Sequence, residues 1–208
     1  MEAVYTSQDA TRGLVEKYMA DDGYSYPGRF IGFGFTYDPN SDDRKVTNVI
    51  PDSPASSVLR VGDTFVSVNG VEATRENWDN GKLDFGGAPN ETVTVVVSRE
   101  GANKEISFKR GLVTPKYSKD QVLESIAMVE GDQWAAEEFE IREAALSSDQ
   151  KSVYIWSWHR SVDQSLGLSY EENVVTRFRF NEEGLVIAVG DLSEEALVQS
   201  QLGFSVTR

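Results

Sequence analysis

The stretch between Ile31 and Gly70 constrains the fold of this chain more than any other part of the sequence. It opens on the turn Gly32-Phe33-Gly34-Phe35, where the glycines carry no Cβ, so backbone amides can face a ligand or another backbone. It closes on Asn69-Gly70, a dipeptide typical of hairpin turns. The sequence therefore predicts a β-rich unit that begins with an accessible backbone turn.

A second motif lies between these two turns. Ser53-Pro54-Ala55 predicts a turn and a short helix, and Gly62-Asp63 restarts the chain into a buried strand. In this order and spacing, the motifs resemble a PDZ domain over residues 29–112, of the bacterial type attached to periplasmic and tail-specific proteases. The resemblance implies a small, partly open β-barrel. Its strands are predicted near residues 31–37, 45–50, 64–69, 92–98 and 104–109.

The resemblance to PDZ domains also implies a binding site for peptide or protein C-termini. In that family the glycine turn binds the terminal carboxylate through its amides, and the peptide adds as a strand beside it. The site residues so implied are Arg29, Gly32, Phe33, Gly34 and Phe35 for the carboxylate, and Thr36 and Tyr37 for strand pairing. The helix that flanks the groove should fall within residues 74–89, where several Asn and Gly residues predict a short or distorted helix.

The rest of the chain, residues 1–28 and 113–208, predicts a second α+β domain. A helix over residues 7–21 and a capping box at Ser118 and Gln121 are followed by four strands with alternating apolar residues. These strands are predicted at 134–146, 152–162, 173–180 and 185–192. The order resembles the cone-shaped fold of nuclear transport factor and ketosteroid isomerase, with a curved antiparallel sheet. The PDZ-like segment is then an insertion after the first helix. Such an insertion is possible because the two termini of a domain usually lie close together at its surface.

The strand at 152–162 carries candidate pocket residues. In the conical fold, one face of the sheet lines an apolar pocket where a buried His or Asp acts as a general base. The candidates are Tyr154, Trp156, Trp158, His159 and Asp191, with Tyr170 as a hydrogen-bond donor. Alternatively, the aromatic residues belong to the core or to a dimer surface.

None of these candidate residues has a partner at a fixed spacing in the sequence, so the sequence shows no catalytic set. The sequence therefore favours a binding protein over an enzyme. Binding of a small apolar ligand, or an isomerase-like or cyclase-like activity in the conical domain, is the alternative.

Composition narrows the classes of function. A formal net charge of −14 argues against binding to nucleic acid or anionic membranes. The chain has no cysteine and one histidine, which leaves no ligand set for zinc. The acidic motif at residues 38–42 lacks the glycine and glutamate of a calcium loop. We therefore expect no metal and no cofactor.

Two further expectations concern assembly and location. The long strands rich in Trp and Phe predict a broad apolar face, which usually marks an interface, so we expect a homodimer. The N-terminus has no basic and apolar leader, which leaves two compartments open. The protein is periplasmic or secreted if a signal peptide was removed, and otherwise cytoplasmic.

Overall fold

The computed structural model describes residues 1–37, 44–83 and 85–204 of the 208-residue chain. The acidic motif at residues 38–42 lies outside these ranges. The chain divides into two compact units. Unit 1 combines Met1–Gly28 with Lys116–Arg208, and unit 2 is Arg29–Pro115.

Helices and strands are numbered along the chain. The helices are α1 (Glu2–Thr6), α2 (Gln8–Tyr18), α3 (Arg75–Asp79), α4 (Lys119–Met128) and α5 (Glu195–Gln201), with a 3-10 turn at Gly131–Gln133. The strands are β1 (Met19–Tyr26), β2 (Phe30–Gly32), β3 (Phe35–Tyr37), β4 (Val46–Val49), β5 (Thr64–Val68), β6 (Val71–Glu72), β7 (Thr92–Arg99), β8 (Ala102–Lys109), β9 (Gly111–Val113), β10 (Tyr117–Ser118), β11 (Glu138–Leu146), β12 (Ser152–Asp163), β13 (Leu168–Phe180) and β14 (Val186–Ser193).

Unit 2 consists of three small sheets around one apolar core. The sheets are β2–β9, β3–β4 and β6–β5–β7–β8, and among the described residues they do not close into a barrel. Alternate residues of β7 point into the core, where Val95 and Val97 are fully buried. The predicted strand at 31–37 is two strands, because the chain turns at Phe33 and Gly34 and leaves one sheet for another.

The two short helices predicted for unit 2 have different outcomes. The short helix predicted after Ser53 is wrong: residues 51–58 form successive turns, with hydrogen bonds such as Ser56 N–H to Ser53 O. The prediction of a short helix within residues 74–89 is confirmed. Helix α3 has five residues, is capped by the Thr74 side chain, and stops before Gly81.

Unit 1 contains a six-stranded sheet in the order β10–β1–β14–β13–β12–β11. Neighbouring strands are antiparallel except β1 and β14, which run parallel. The expectation of an entirely antiparallel sheet is therefore wrong at this one pair. Unit 1 is of the α+β type, and its resemblance to the conical fold stays a prediction.

The N-terminal helix ends earlier than its apolar pattern predicts. Helix α2 stops at Tyr18, and Met19–Tyr26 forms β1 instead of further helix. Strand β1 pairs with β14, and Gly23 allows the two backbones to come close, because a Cβ at residue 23 would lie 2.7 Å from the Val186 carbonyl oxygen. Glycine at this position serves strand pairing and not the end of a helix.

The predicted capping box of α4 is confirmed. The Gln121 amide donates to the Ser118 hydroxyl, and the Ser118 amide donates to the Gln121 side chain. Gln8 of α2 donates through Nε2 to the Ile126 and Val129 carbonyls, which ties the two helices together. Within the described ranges, no helix is both long enough and apolar enough to cross a membrane.

Candidate functional site

The glycine turn of unit 2 connects β2 to β3. Gly34 adopts a φ of +80°, a left-handed conformation that favours glycine. A Cβ at Gly34 would lie 2.2 Å from the Ser53 Cβ, so space as well as backbone conformation requires glycine there. The Ser53-Pro54-Ala55 motif thus lies directly against the turn.

Hydrogen bonds fix the orientation of two peptide planes in the turn. The Phe33 carbonyl accepts from the Ala55 amide at 2.9 Å, and the Gly34 carbonyl accepts from the Ile50 amide at 2.8 Å. The Ser53 hydroxyl also donates to the Gly34 carbonyl, at 3.2 Å. In a trans peptide the N–H and C=O groups point in opposite directions. The N–H groups of Gly34 and Phe35 therefore point away from the Ser-Pro-Ala segment.

The strand that follows the turn has a free edge. Among the described residues β3 pairs only with β4, with Phe35 opposite Val49. Since the Ile50 amide bonds the Gly34 carbonyl, Phe35 and Val49 form a non-hydrogen-bonded pair. The N–H and C=O of Phe35 therefore face the free edge, which is the geometry required for an added strand.

Aromatic side chains lie between β3 and α3. The rings of Tyr37 and Trp78 meet edge to face, with centroids 4.7 Å apart. Phe85, which follows α3, contacts the rings of Phe35 and Phe33 at 5.4 and 6.3 Å. The space between β3 and α3 is therefore lined by aromatic side chains that contact one another.

The other predicted carboxylate and strand residues take varied positions. Gly32 and Phe33 are buried, Phe35 and Tyr37 are half-buried, and Thr36 is exposed, with its hydroxyl bonded to Thr47. Arg29 is exposed, and within the described part of the chain no carboxylate pairs with it. Thus the turn and β3 lie next to each other, whereas none of the contacts given for the described residues fixes the Arg29 side chain.

The candidate pocket residues of unit 1 lie on two faces of the sheet. We call inner face the side of β12 and β13 that carries Ser157, His159 and Glu172 and is covered by Tyr5 of α1. His159 lies on this face, and Asp191 lies opposite Thr176 on the same side. Tyr154, Trp156 and Trp158 alternate onto the other face, where Tyr154 and Trp156 are 38% and 41% exposed. These three rings therefore do not line a cavity together with His159 and Asp191.

Polar groups cluster on the inner face. The hydroxyls of Tyr5 and Ser157 are hydrogen-bonded at 2.8 Å. The His159 ring lies 5.1 Å from the Tyr5 ring and 6.2 Å from the Tyr170 ring, and its Nε2 is 3.6 Å from the Glu172 carboxylate. His159 Nδ1 is buried, and no described group bonds it. The cluster thus joins two strands, β12 and β13, and helix α1 around one imidazole.

Burial shifts the pKa values of this cluster toward neutral forms. It lowers the pKa of His159 below 6.5 and raises the pKa of Glu172. Burial also raises the pKa values of Tyr5 and Tyr170. Each charged form loses hydration that its neighbours do not fully replace. Near pH 7, the side chains of His159, Tyr5 and Tyr170 on the inner face are therefore largely neutral, and they can act as hydrogen-bond donors and acceptors.

Sequence reasoning missed Glu172 as the neighbour of His159. The two residues are directly opposite each other on β12 and β13. Only the register between the two strands shows that Glu172 and His159 are neighbours, because directly opposite residues of an antiparallel pair have adjacent side chains. Without knowing where the β12–β13 connection turns, the pairing could not be assigned.

Comparison with known families identifies the module in unit 2. Residues 30–109 match the sequence profile of the PDZ domain. Unit 2 therefore contains a PDZ domain, and PDZ domains bind peptides by strand addition. This supports a general role in peptide binding and protein interaction.

Solved structures show distant similarity. The HtrA-type protease AlgW with decapeptide is 20% identical, with a TM-score of 0.32, over 43% of this chain and 30% of that chain. A PDZ domain protein from Parabacteroides distasonis is 12% identical, with a TM-score of 0.32, over 87% of this chain and 59% of that chain. A phenazine biosynthesis-related protein from Pseudomonas aeruginosa is 10% identical, with a TM-score of 0.34, over 48% of this chain and 60% of that chain. The chain thus spans from 30% to 60% of the length of these three structures. A comparison with curated proteins finds no significant match.

Proposed function

We propose that the protein is a non-enzymatic binding protein whose PDZ domain recognises the C-termini of peptides or proteins. The observation that carries the proposal is the orientation of the Phe33 and Gly34 carbonyls, both held by donors from residues 50–55. Their orientation leaves the Gly34 and Phe35 N–H groups pointing away from residues 50–55, next to the free edge of β3. Two such donors can hold a carboxylate, and charge-assisted hydrogen bonds of this kind are stronger than neutral ones.

The rest of the groove sets what a bound peptide would contact. The peptide backbone would pair with Phe35 on the free edge of β3, and its side chains would meet the rings of Tyr37, Trp78 and Phe85. Because α3 has only five residues, the far side of the groove is short. We therefore expect recognition to be concentrated on the last few residues of the peptide.

A pair of peptides tests the proposal. Peptides from a C-terminal library are prepared with a free carboxylate and, as matched controls, with a C-terminal amide, and binding to the full chain is measured by fluorescence anisotropy. We expect the acid forms to bind at least about tenfold more tightly, because the amide cannot accept charge-assisted hydrogen bonds from the turn. Equal binding of both forms, or binding of neither, would discard recognition of C-termini.

A second candidate function is binding of a small ligand on the inner face of unit 1. The observation that favours it is His159, 9% exposed, with a buried Nδ1 that no described residue bonds and Glu172 beside its Nε2. A buried polar atom without a partner is costly, so an additional hydrogen-bonding group would stabilise it. Asp191 is exposed on the same side and would lie toward solvent.

Ligand binding at the inner face is tested with two variants. His159→Gln and Asp191→Asn are compared with Asp149→Asn, which changes a carboxylate elsewhere in unit 1. We expect small molecules that raise the melting temperature of the wild type to lose this effect in the first two variants only. A steroid-like or polyketide-like compound turned over by the wild type, with turnover reduced about 100-fold in either variant, would instead establish an enzyme.

We also propose that the protein forms a homodimer through the outer face of the unit 1 sheet. Tyr154, Trp156 and Val175 are exposed side by side on β12 and β13. Exposed apolar patches of this kind usually mark protein interfaces. A second copy offers the same aromatic surface, which suits a two-fold symmetric contact.

A further inference from the structure

The cation Arg110 lies beside the glycine turn, although it comes from a segment far along the chain. Strands β2 and β9 are antiparallel, with Gly32 opposite Gly111. One step further in this register places Arg110 opposite Phe33, the central residue of the turn. The Arg110 guanidinium lies over the Phe33 ring, with Cζ 5.9 Å from the ring centroid. The position of this charge is therefore set by strand pairing.

The Arg110 side chain is held at one end and unpaired at the other. Its Nη1 donates to the Gly87 carbonyl, while its Nε is buried and bonds no described group. Its backbone is also fixed, because the Arg110 amide donates to Glu91 O and its carbonyl accepts from the Asn90 amide. Among the described residues, no carboxylate lies within ion-pair distance of the guanidinium. The group is thus preorganised, and apart from Nη1 no guanidinium nitrogen of Arg110 has a hydrogen-bond partner among the described residues.

We infer that Arg110, and not Arg29, supplies the positive charge that binds the carboxylate of a C-terminal ligand. This inference rests on the proposed recognition of C-termini. The Gly34 and Phe35 amides would donate to the carboxylate, and the guanidinium beside Phe33 would donate from the adjacent strand. Arg29 is exposed and held by no described contact, so ordering it on binding would cost side-chain entropy. Arg110 has already lost that freedom.

The test compares Arg110→Gln with Arg29→Gln as the matched control. Binding of one acid peptide and its amide to each full-length variant is measured by fluorescence anisotropy. We expect Arg110→Gln to weaken binding of the acid peptide by about 10-fold or more and to leave binding of the amide unchanged. Arg29→Gln should weaken binding of the acid peptide by less than about 3-fold.

A third variant and a direct measurement guard against misfolding of Arg110→Gln. Arg110→Lys keeps the charge but not the planar group that lies on Phe33, so it should recover only part of the affinity. In the wild type, the Arg110 Nε–H NMR signal should shift on addition of the acid peptide and not of the amide.

The outcomes separate this inference from the proposed function. If the wild type distinguishes acid from amide while Arg110→Gln binds normally, or if Arg29→Gln loses as much affinity, Arg110 is not the anchor and recognition of C-termini stands. An unmoved Arg110 Nε–H signal on binding of the acid peptide also overturns the inference. If the wild type does not distinguish the two peptides, both conclusions fall.

Discussion

Replacing Gly34 by alanine tests the geometry on which the proposed site depends. Gly34 and Gly62 both have positive φ angles, +80° and +95°, so alanine should cost about 1–2 kcal/mol of backbone strain at either position. At Gly62 a new Cβ meets nothing within 4 Å, which makes Gly62→Ala a matched control. The effect of alanine on the unfolded chain is the same in both variants and cancels in the comparison.

Only at Gly34 does the new methyl group collide with the protein. Its Cβ would lie 2.2 Å from Ser53 Cβ and 2.4 Å from Ser53 Oγ, and Ser53 is buried. Moving Ser53 would break its hydrogen bond to the Gly34 carbonyl, worth about 1 kcal/mol. Forcing a methylene into a packed site costs about 1–3 kcal/mol more. We therefore expect Gly34→Ala to lose about 3–6 kcal/mol and Gly62→Ala about 1–2 kcal/mol.

Urea titrations with hydrogen exchange at the buried Val95 and Val97 amides report on unit 2 separately from unit 1. Binding of the acid peptide is measured in the same samples. We expect Gly34→Ala to abolish binding at peptide concentrations that saturate Gly62→Ala. Equal stability losses in the two variants, or normal peptide binding by Gly34→Ala, would refute the described contact between the turn and Ser53.

Three further predictions concern stability, protonation and assembly. Asp63 is 1% exposed and accepts from Arg99 Nε and Nη2, each at 2.7 Å, so Asp63→Ala should destabilise unit 2 by about 3–5 kcal/mol in urea titrations. Burial raises the pKa of Asp63, but the hydrogen bonds from Arg99 and Arg60 outweigh burial and lower that pKa below 3.8. The stabilisation from Asp63 is therefore lost as pH falls through its folded-state pKa. An acid titration of Asp63→Ala should lack this loss of stability. His159 is the one histidine of the chain, and NMR should show its pKa below 6.5. As pH falls, the unfolded chain binds the proton before the folded protein does, so the stability should fall as pH drops below 6.5. A measured pKa at or above 6.5 would contradict the burial of His159. Light scattering should give about twice 23.1 kDa for the wild type and a monomer for Trp156→Glu, and a monomeric wild type would eliminate the dimer.

Features encoded by neighbouring residues could be read from the sequence. The PDZ motifs depend on turns whose residues lie close together in the chain, such as the Asn69-Gly70 hairpin, where both residues have positive φ angles. The capping box at Ser118 and Gln121 is likewise complete within four residues. The period-two alternation of β12 likewise puts Trp156 and His159 on opposite faces of the strand, as the structure has them.

Features that depend on distant pairing could not be read in this way. The apolar pattern of α2 runs on into Met19, but pairing with β14 imposes an extended backbone from that residue onward. Tertiary contacts override local propensity in such cases. The same limit applies to Glu172 beside His159 and to Arg110 beside Phe33, since both neighbours come from strand register. A sequence pattern shows which face a residue takes but not which residue lies opposite.

The parallel pairing of β1 with β14 has a consequence for the synthesis of this protein. Residue 26 leaves the ribosome well before residue 190, with which it pairs, and at usual translation rates the delay is roughly 10–30 s. During this time the whole PDZ segment is made and can fold. Strand β1 can gain β10 as a neighbour once residues 117 and 118 have been made, but its other edge stays unpaired until β14 is made. The first 28 residues must therefore stay unaggregated as a nascent chain, which their acidic and polar residues Asp9, Glu16, Asp21 and Asp22 favour. A chaperone requirement during translation would thus fall on the N-terminal segment.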